Sequence, residues 1–471
     1  MKSKIRCLLK SPPGCIPEKI YIAKLIFYEY LGIDVDFQSS EEKKSFELNI
    51  LFDDKTYSLE FLDSFFKKAS SAWLEPATLP DSCTWIKTNE IQGEEIWIPI
   101  FHTTDDAAFW KSKEHLTSSD IDIFGLSFFF LSRYEEAVRT SSRDEFGRFC
   151  FEKSLSKRTG TANKPVVNMY IDFLAKLIEQ ITHYPLEKYR KLAFEVIPSH
   201  DVDSPFSPSI RTPYWLLRTL GKNLIRDRST EKFYATARTA YKSSFNQKND
   251  PYNSFSKIVK IDANAGVKGR YFFISGRTGK KVNDGYYHIE EERIKRLLQE
   301  LHFEGQEIGL HPSFNTYLNP SAIDSEFSRL KRLCENLSIR QDYWGGRQHI
   351  LRWQCPDTWR HWATARLDYD STLGFADRPG FRCGICYPYR VYDLIERREL
   401  TLIEQPLILM ECSLIDSRYM NLGCSDAAFE EVQNLRNECK KFRGQFTVLW
   451  HNHRYVSEEE VNLYKFALSG K

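Results

Sequence analysis

The stretch Ile197-Pro198-Ser199-His200-Asp201-Val202-Asp203 places two carboxylates one residue apart, directly after the apolar run at residues 192–197. That run predicts a short buried strand, so the two acids lie where the strand enters a loop. Residues i and i+2 of an extended chain point to the same side, and Asp201 and Asp203 can therefore converge on one point. Two carboxylates this close repel each other unless a cation or a shared proton lies between them. The pair is a candidate for metal binding and general-base catalysis, with an Asp-rich turn before Pro205 as the alternative interpretation.

Four further segments bring polar residues to predicted strands or to their ends. They are residues 306–310 followed by His311, residues 346–353 with His349 inside them, residues 367–374 with Asp370, and residues 445–450 followed by His451. Core strands gain no packing energy from such residues. In a parallel α/β barrel, catalytic side chains gather at the C-terminal ends of the strands. The pattern therefore predicts a barrel whose successive strand ends form one site.

Residues 192–455 resemble a polysaccharide deacetylase domain, the NodB-homology type found in carbohydrate esterases. In that family a Thr-Phe-Asp-Asp-Gly motif supplies a base and a metal ligand, and residues 200–203 are similar to a spaced variant of it. Residues 267–273 resemble the second strand of the family, and residues 307–313 resemble the strand that bears the first metal histidine. Residues 352–356 are similar to the arginine-proline motif, and residues 449–451 to the closing Leu-x-His motif. The order and spacing of these motifs make the resemblance much more specific than any one of them.

The resemblance implies an α/β fold with two domains. We expect a smaller α+β domain of unknown role at residues 1–190 and a distorted (β/α) barrel of the polysaccharide deacetylase type at residues 191–471. The implied activity is metal-dependent removal of an N-acetyl or O-acetyl group from a sugar or a surface-polysaccharide precursor. A divalent ion is implied as cofactor, with Zn²⁺ expected first and Co²⁺ or Ni²⁺ as other candidates.

The resemblance also implies roles for individual residues. Asp201 would act as general base and His451 as general acid, with Asp370 or Arg352 orienting one of them. The metal ligands would be Asp203 and His311, completed by His349 or Asn315. The family's second metal histidine follows the first by four residues, and Asn315 stands there in this chain. An amide oxygen binds zinc less well than an imidazole, so His349 is the alternative third ligand.

The composition limits the class of protein. The 66 Lys and Arg nearly balance the 64 Asp and Glu, and no long basic run occurs, so we expect no nucleic-acid partner. The eleven cysteines lack metal-type spacing, apart from one Cys-x-x-Cys at residues 383–386, and suit a reducing cytoplasm. No apolar signal-peptide region and no stretch of membrane-spanning length is found, so we expect a soluble cytoplasmic protein without a membrane span.

Hydrophobic periodicity predicts the elements around these motifs. We expect helices at residues 19–31, 120–136 and 165–180 and strands at residues 46–51 and 95–100, followed by helices at residues 291–301, 321–336, 356–365 and 427–440. Residues 204–255 form a long insertion. Trp215 within it belongs either to a lid over the site or to the outside of the barrel.

Two other functions fit parts of the sequence. A glycosidase would use the carboxylates of Asp201, Asp203, Asp368 and Asp370, but it would leave the histidines without a role. A catalytically silent carbohydrate-binding or scaffold protein would explain Asn315 in place of histidine. Release of acetate would argue against the first alternative, and failure to bind metal would favour the second.

Overall fold

The computed structural model describes residues 5–88, 91, 94–102, 117–207, 213–245, 249–280 and 284–471. Within these ranges the protein is a mixed α/β structure with three sheets. The strands are β1 Arg6–Ser11, β2 Asp34–Ser39, β3 Phe46–Phe52, β4 Lys55–Phe61, β5 Ser82–Lys87, β6 Trp97–His102, β7 Glu195–Val202, β8 Arg270–Phe273, β9 Glu307–Leu310, β10 Gly345–Gly346, β11 Tyr369–Asp370, β12 Tyr389–Asp393, β13 Arg398–Glu404, β14 Leu409–Met410 and β15 Gln445–Leu449.

The largest sheet has nine strands in the order β12-β13-β11-β10-β9-β8-β7-β15-β14. Its neighbouring strands are parallel, except that β12 runs antiparallel to β13 at one edge. The mixed α/β prediction is confirmed. Strand pairing among the described residues ends at β12 and β14, so the sheet is not shown as a closed ring and the distorted barrel stays a prediction.

The helices of the large-sheet region agree with their predicted positions. The four predicted helices are found at Glu292–Phe303, Pro320–Asn336, Asp357–Thr364 and Asp426–Lys441. Further helices of this region are Phe255–Asn264, Glu411–Ile415 and Glu458–Ser469. The long insertion contains two more helices, Pro213–Ile225 and Thr230–Phe245. The ring of Trp215 in the first of them is 6.2 Å from the ring of Tyr286, and its assignment to a lid stays a prediction.

The N-terminal part has a four-stranded sheet, in the order β2-β1-β3-β4, and the ribbon β5-β6. Its helices are Ile16–Ala23, Phe65–Ala69, Ile123–Leu131, Tyr134–Val138, Leu155–Thr159, Val166–Thr182 and Glu187–Arg190, with a π-helix at Lys24–Leu31. The helix predicted at residues 120–136 is divided at Arg133, where φ is 56°. This turn brings the Arg133 guanidinium back to Glu136.

One apolar core cluster contains residues from Ile5 to Leu468 and joins the two parts of the chain. Buried charges also cross between them, since Glu136 accepts hydrogen bonds from both Arg133 and Arg382. The division near residue 190 therefore stays a prediction. All eleven cysteines lie in the described ranges and none forms a disulfide. No helix in the described part of the chain is long and apolar enough to cross a membrane.

Candidate metal centre and its acid–base groups

Neighbouring strands of the large sheet deliver the candidate side chains to one edge. Asp201 lies in β7, and Asp203 follows that strand directly. His311 is the first residue after β9, and His451 comes two residues after β15. Because β9, β8, β7 and β15 are adjacent and parallel, their carboxyl ends meet at the same edge. The sheet therefore brings together residues that lie up to 250 positions apart in the sequence.

His349 reaches this edge from a turn and not from a strand, which corrects the strand predicted at residues 346–353. Only Gly345–Gly346 pairs as β10, and His349–Leu351 forms a short 3₁₀ turn. The chain leaves the extended conformation because φ is positive at Ile350 and Leu351. The turn stacks the His349 ring on the His311 ring, with 4.7 Å between their centroids.

Asp203 stands at the centre of three imidazoles. Its Oδ1 lies 3.2 Å from His311 Nε2 and 3.7 Å from His349 Nε2, and its Oδ2 lies 3.6 Å from His451 Nε2. Ligand atoms bound at about 2.1 Å around a tetrahedral metal lie about 3.4 Å apart. The spacing of Asp203, His311 and His349 therefore fits one metal ion.

Two further observations support the binding of a cation by these side chains. Among the described residues, buried Asp203 Oδ1 has no hydrogen-bond partner of good geometry, although histidines surround it. His311 Nδ1 donates to the Arg347 carbonyl at 2.6 Å, which fixes the ring and turns Nε2 toward Asp203. A backbone acceptor on the second nitrogen is the usual support of a metal-binding histidine.

The protonation states of His349 and Asp203 agree with this assignment, whereas in the metal-free protein Asp201 and Asp203 outweigh burial and raise the pKa of His311. Burial, together with the neighbouring His311, lowers the pKa of His349 to about 4, so its imidazole is neutral at neutral pH. Burial alone would raise the pKa of Asp203, but His349 and His311 outweigh it and hold that pKa well below its usual range. An ionised carboxylate and a neutral imidazole are the forms that bind a metal.

Asp201 is held by a buried arginine. Arg347 Nη1 donates to Asp201 Oδ1 at 2.9 Å, and both side chains are almost fully buried. The other nitrogens of Arg347 donate to the Ser371 carbonyl and to the Ser199 hydroxyl. Asp201 Oδ2 lies 3.8 Å from His311 Nε2. The second carboxylate oxygen is thus left facing the candidate metal centre.

His451 is paired with a buried carboxylate. Its Nδ1 donates to Glu411 Oε1, and its backbone nitrogen donates to the same oxygen at 3.1 Å. Burial disfavours the charged ring, but the Glu411 carboxylate outweighs it and raises the pKa of His451 well above its usual value. His451 is therefore an imidazolium whose Nε2–H faces Asp203.

Glu411, Cys412 and His451 also lie close enough together to be considered as a second metal group. The Arg454 guanidinium lies 3.5 Å from Cys412 Sγ, where it opposes a metal cation. Burial raises the pKa of the Cys412 thiol, whereas a metal requires the thiolate. We therefore interpret this group as the environment that keeps His451 protonated.

Three predicted residues have other contacts. The exposed Asn315 donates from its amide to the Thr278 carbonyl and accepts from Arg352, so it does not join the metal ligands. Arg352 also donates to the Phe146 carbonyl at 2.7 Å. Asp370 is fully buried and accepts from the Thr372 backbone at 2.9 Å. We expected Arg352 or Asp370 to orient the two acid–base groups. In the structure Arg347 contacts Asp201, and Glu411 contacts His451.

The sequence prediction missed Arg347 and Glu411. Arg347 directly follows β10, and Glu411 directly follows β14 and the apolar run at residues 406–410. Glu411 therefore carries the signal that identified the other site residues, a charged side chain at the end of a short apolar strand, whereas Arg347 follows two glycines; neither position indicates which residue the side chain contacts. Glu411 was overlooked because its partner His451 lies 40 positions away.

Comparisons with known proteins add little to this site. Residues 7–183 match a family model described as a family of unknown function (DUF7033), which covers the part of the chain before the site. No curated protein sequence matches the chain. A crystal structure described as a "putative polysaccharide deacetylase from Mycobacterium smegmatis" shares 16% sequence identity, covers 59% of this chain and 83% of its own, and superposes with a TM-score of 0.36. A similarity at this level does not establish the fold or the function of this chain.

Proposed function

We propose that the protein is a metal-dependent hydrolase that removes an acetyl group from a sugar or a surface-polysaccharide precursor. The observation that carries the proposal is the meeting of Asp203, His311 and His349 around one point. A buried carboxylate on one side and an imidazolium on the other complete the set of groups that such a hydrolysis needs. The motif order along residues 192–455 supports the carbohydrate substrate.

Each side chain of the site has a separate role in the proposed hydrolysis. A divalent cation held by Asp203, His311 and His349 would polarise the acetyl carbonyl and make a bound water more acidic. Asp201 takes one proton from the attacking water, and Arg347 holds its carboxylate in the orientation for this transfer. The water oxygen bonds to the acetyl carbonyl carbon, the C–N bond of the amide then breaks, and His451 Nε2 gives its proton to the leaving nitrogen. Glu411 stabilises the imidazolium until that step.

The proposal is tested first by the metal content of the purified protein. We expect about one divalent ion per chain, bound after incubation with Zn²⁺, Co²⁺ or Ni²⁺ and removal of excess metal. Asp203→Asn, His311→Ala and His349→Ala should each lose the ion. Asn315→Ala is the matched control and should retain it, because its amide contacts Thr278 and Arg352. A wild-type protein that binds no metal would refute the proposal and favour a carbohydrate-binding or scaffold protein.

Acetate release from N-acetylated and O-acetylated sugars is the second measurement. The glycosidase alternative has little support from the geometry, because Asp370 is fully buried and Asp368 accepts a hydrogen bond from the Trp344 backbone at 2.7 Å. Acetate release that depends on Asp201 and His451 would support the deacetylase. Cleavage of a glycosidic bond without acetate would refute it.

A further inference from the structure

The helices Pro213–Ile225 and Thr230–Phe245 pack on each other and expose large apolar side chains to solvent. The exposed fractions reach 70% for Leu217 and 81% for Ile225. Tyr214, Leu224 and Tyr234 are also exposed. We call these two helices the helical hairpin. Exposed apolar groups clustered in this way mark a surface that binds a partner.

The apolar groups of the first helix occupy its outward face. At 100° per residue, Tyr214, Leu217, Leu224 and Ile225 fall within a stripe about 100° wide. The buried Asn223 and the half-buried residues 215 and 219 lie on the opposite side, and the Asn223 amide donates to the Lys232 carbonyl and the Thr236 hydroxyl of the second helix. A helix on a protein surface normally presents its polar face outward. In the helical hairpin the outward face is apolar, and this needs an apolar partner.

The same surface is strongly basic. Residues 213–245 contain seven Lys or Arg against two acidic residues, whereas the whole chain has a net charge of only +2. All seven basic side chains are exposed: Arg218, Lys222, Arg226, Arg228, Lys232, Arg238 and Lys242. Arg218 and Lys222 border the apolar stripe of the first helix. Apolar and tyrosine side chains between exposed cations are the pattern of a helix that lies in the interface of an anionic membrane.

We propose that the helical hairpin docks on the surface of an anionic lipid bilayer, with the apolar stripe in the interface and the cations at the headgroups. A second copy of the chain is a poorer partner, because two such basic surfaces repel each other. A nucleic acid would pair with the cations but would leave Leu217 and Ile225 in water. Of these three partners, the bilayer alone satisfies both the charge and the apolar surface.

The described segments that precede and follow the helical hairpin in the chain contact the candidate site. Asn452, next to His451, donates from its amide to the carbonyls of Ser204 and Tyr252, which lie on either side of the hairpin in the chain. The Tyr252 ring also lies 5.5 Å from the His453 ring. Docking would therefore hold the site close to the bilayer. On the proposed deacetylase function, the substrate would be a sugar attached to a membrane anchor.

Sedimentation with lipid vesicles tests the docking without any enzymatic assay. Wild-type protein should sediment with vesicles that contain phosphatidylglycerol. Its binding to vesicles of pure phosphatidylcholine should be at least tenfold weaker, and high salt should weaken its binding to the anionic vesicles. The double variant Leu217→Ser/Ile225→Ser should lose at least tenfold in binding to the anionic vesicles. Phe303→Ser removes a side chain that is 89% exposed outside the hairpin and should bind as wild type does.

Three outcomes would overturn the inference. The first is binding that is equal for the two kinds of vesicle, or absent from both. The second is loss of binding in the Phe303→Ser control. The third is that the wild type binds RNA or forms dimers in place of binding vesicles, and that the double variant abolishes this. Thermal unfolding of each variant shows whether it is folded. Metal content is measured in the same samples, so that failure of the docking and failure of the proposed hydrolase site are distinguished.

Discussion

Substitution of Glu136 by glutamine should destabilise the protein strongly. The fully buried Glu136 carboxylate accepts from Nε and Nη2 of both Arg133 and Arg382, at 2.7 to 3.1 Å. Burial would raise the pKa of Glu136, but the two guanidinium groups lower it to about 2. Glutamine keeps one acceptor oxygen and removes the negative charge, so two buried cations lose their counter-ion. Breaking a buried ion pair in this way costs about 3–5 kcal/mol.

The resulting change in Tm depends on which part of the chain unfolds as a unit. Unfolding entropy is about 2.1 cal/mol/K per residue, so a cooperative unit of the full chain would lose roughly 3–5 °C in Tm. A separate unit formed by residues 1–190 would lose roughly 8–12 °C on the same basis. Differential scanning calorimetry of wild type and Glu136→Gln therefore measures the cost and also tests the proposed domain division.

The control is an exposed ion pair between another glutamate and a lysine. Glu187 lies 3.9 Å from Lys191, and their side chains are 64% and 78% exposed. Surface pairs contribute little, so Glu187→Gln should leave Tm nearly unchanged. The reasoning would be refuted if Glu136→Gln unfolded at the same temperature as this control.

Further predictions concern the site and its surroundings. Arg347→Met should lower acetate release by about 10–100-fold through loss of a charged hydrogen bond, whereas Arg352→Met should stay near wild type. Glu411→Gln should move the alkaline limb of the pH–rate profile to lower pH, because His451, the proposed general acid, loses the carboxylate that keeps it protonated; an unchanged limb would contradict this role. Burial raises the pKa of Asp370 to about 7, and burial and the Asp370 charge raise that of Glu404 well above its usual value. The folded state then holds protons that the unfolded state releases, so between about pH 4 and 7 the contribution of these two carboxyl groups to stability falls as pH rises. Asp370→Asn should flatten this fall in Tm, and parallel curves for the two proteins would contradict it.

The sequence was sufficient to predict most of the residues that meet at the candidate site because strand ends are a local signal. Asp201, Asp203, His311 and His451 each follow, or lie at the end of, a short apolar run, and a parallel sheet gathers such ends at one edge. The alternation of side chains along an extended chain explains why the two aspartates reach the same place. The structure gives them different neighbours, since Asp201 contacts a guanidinium and Asp203 contacts imidazoles.

The partners of these residues could not be predicted from local pattern. The four-residue spacing from His311 pointed to Asn315, but the chain turns after β9 and directs that amide to Thr278. His349 arrives from the turn after β10, whose positive φ angles are not encoded by a recognisable turn motif. Residues that hold others in place are selected by long-range geometry, and a single sequence contains no record of it.

The order of strands decides whether the site can form at all. β15 is the last strand in the chain, yet it pairs with β7, the first strand of the large sheet. Without that pairing, His451 would stand far from Asp203, because β8 and β9 occupy the other side of β7. Alternation of strands and helices predicts parallel pairing but not which strand lies at each edge. In this chain the prediction that His451 joins the site rests on the resemblance of residues 449–451 to a known motif. The geometric reason for it is that β15 places His451 3.6 Å from the carboxylate that follows β7.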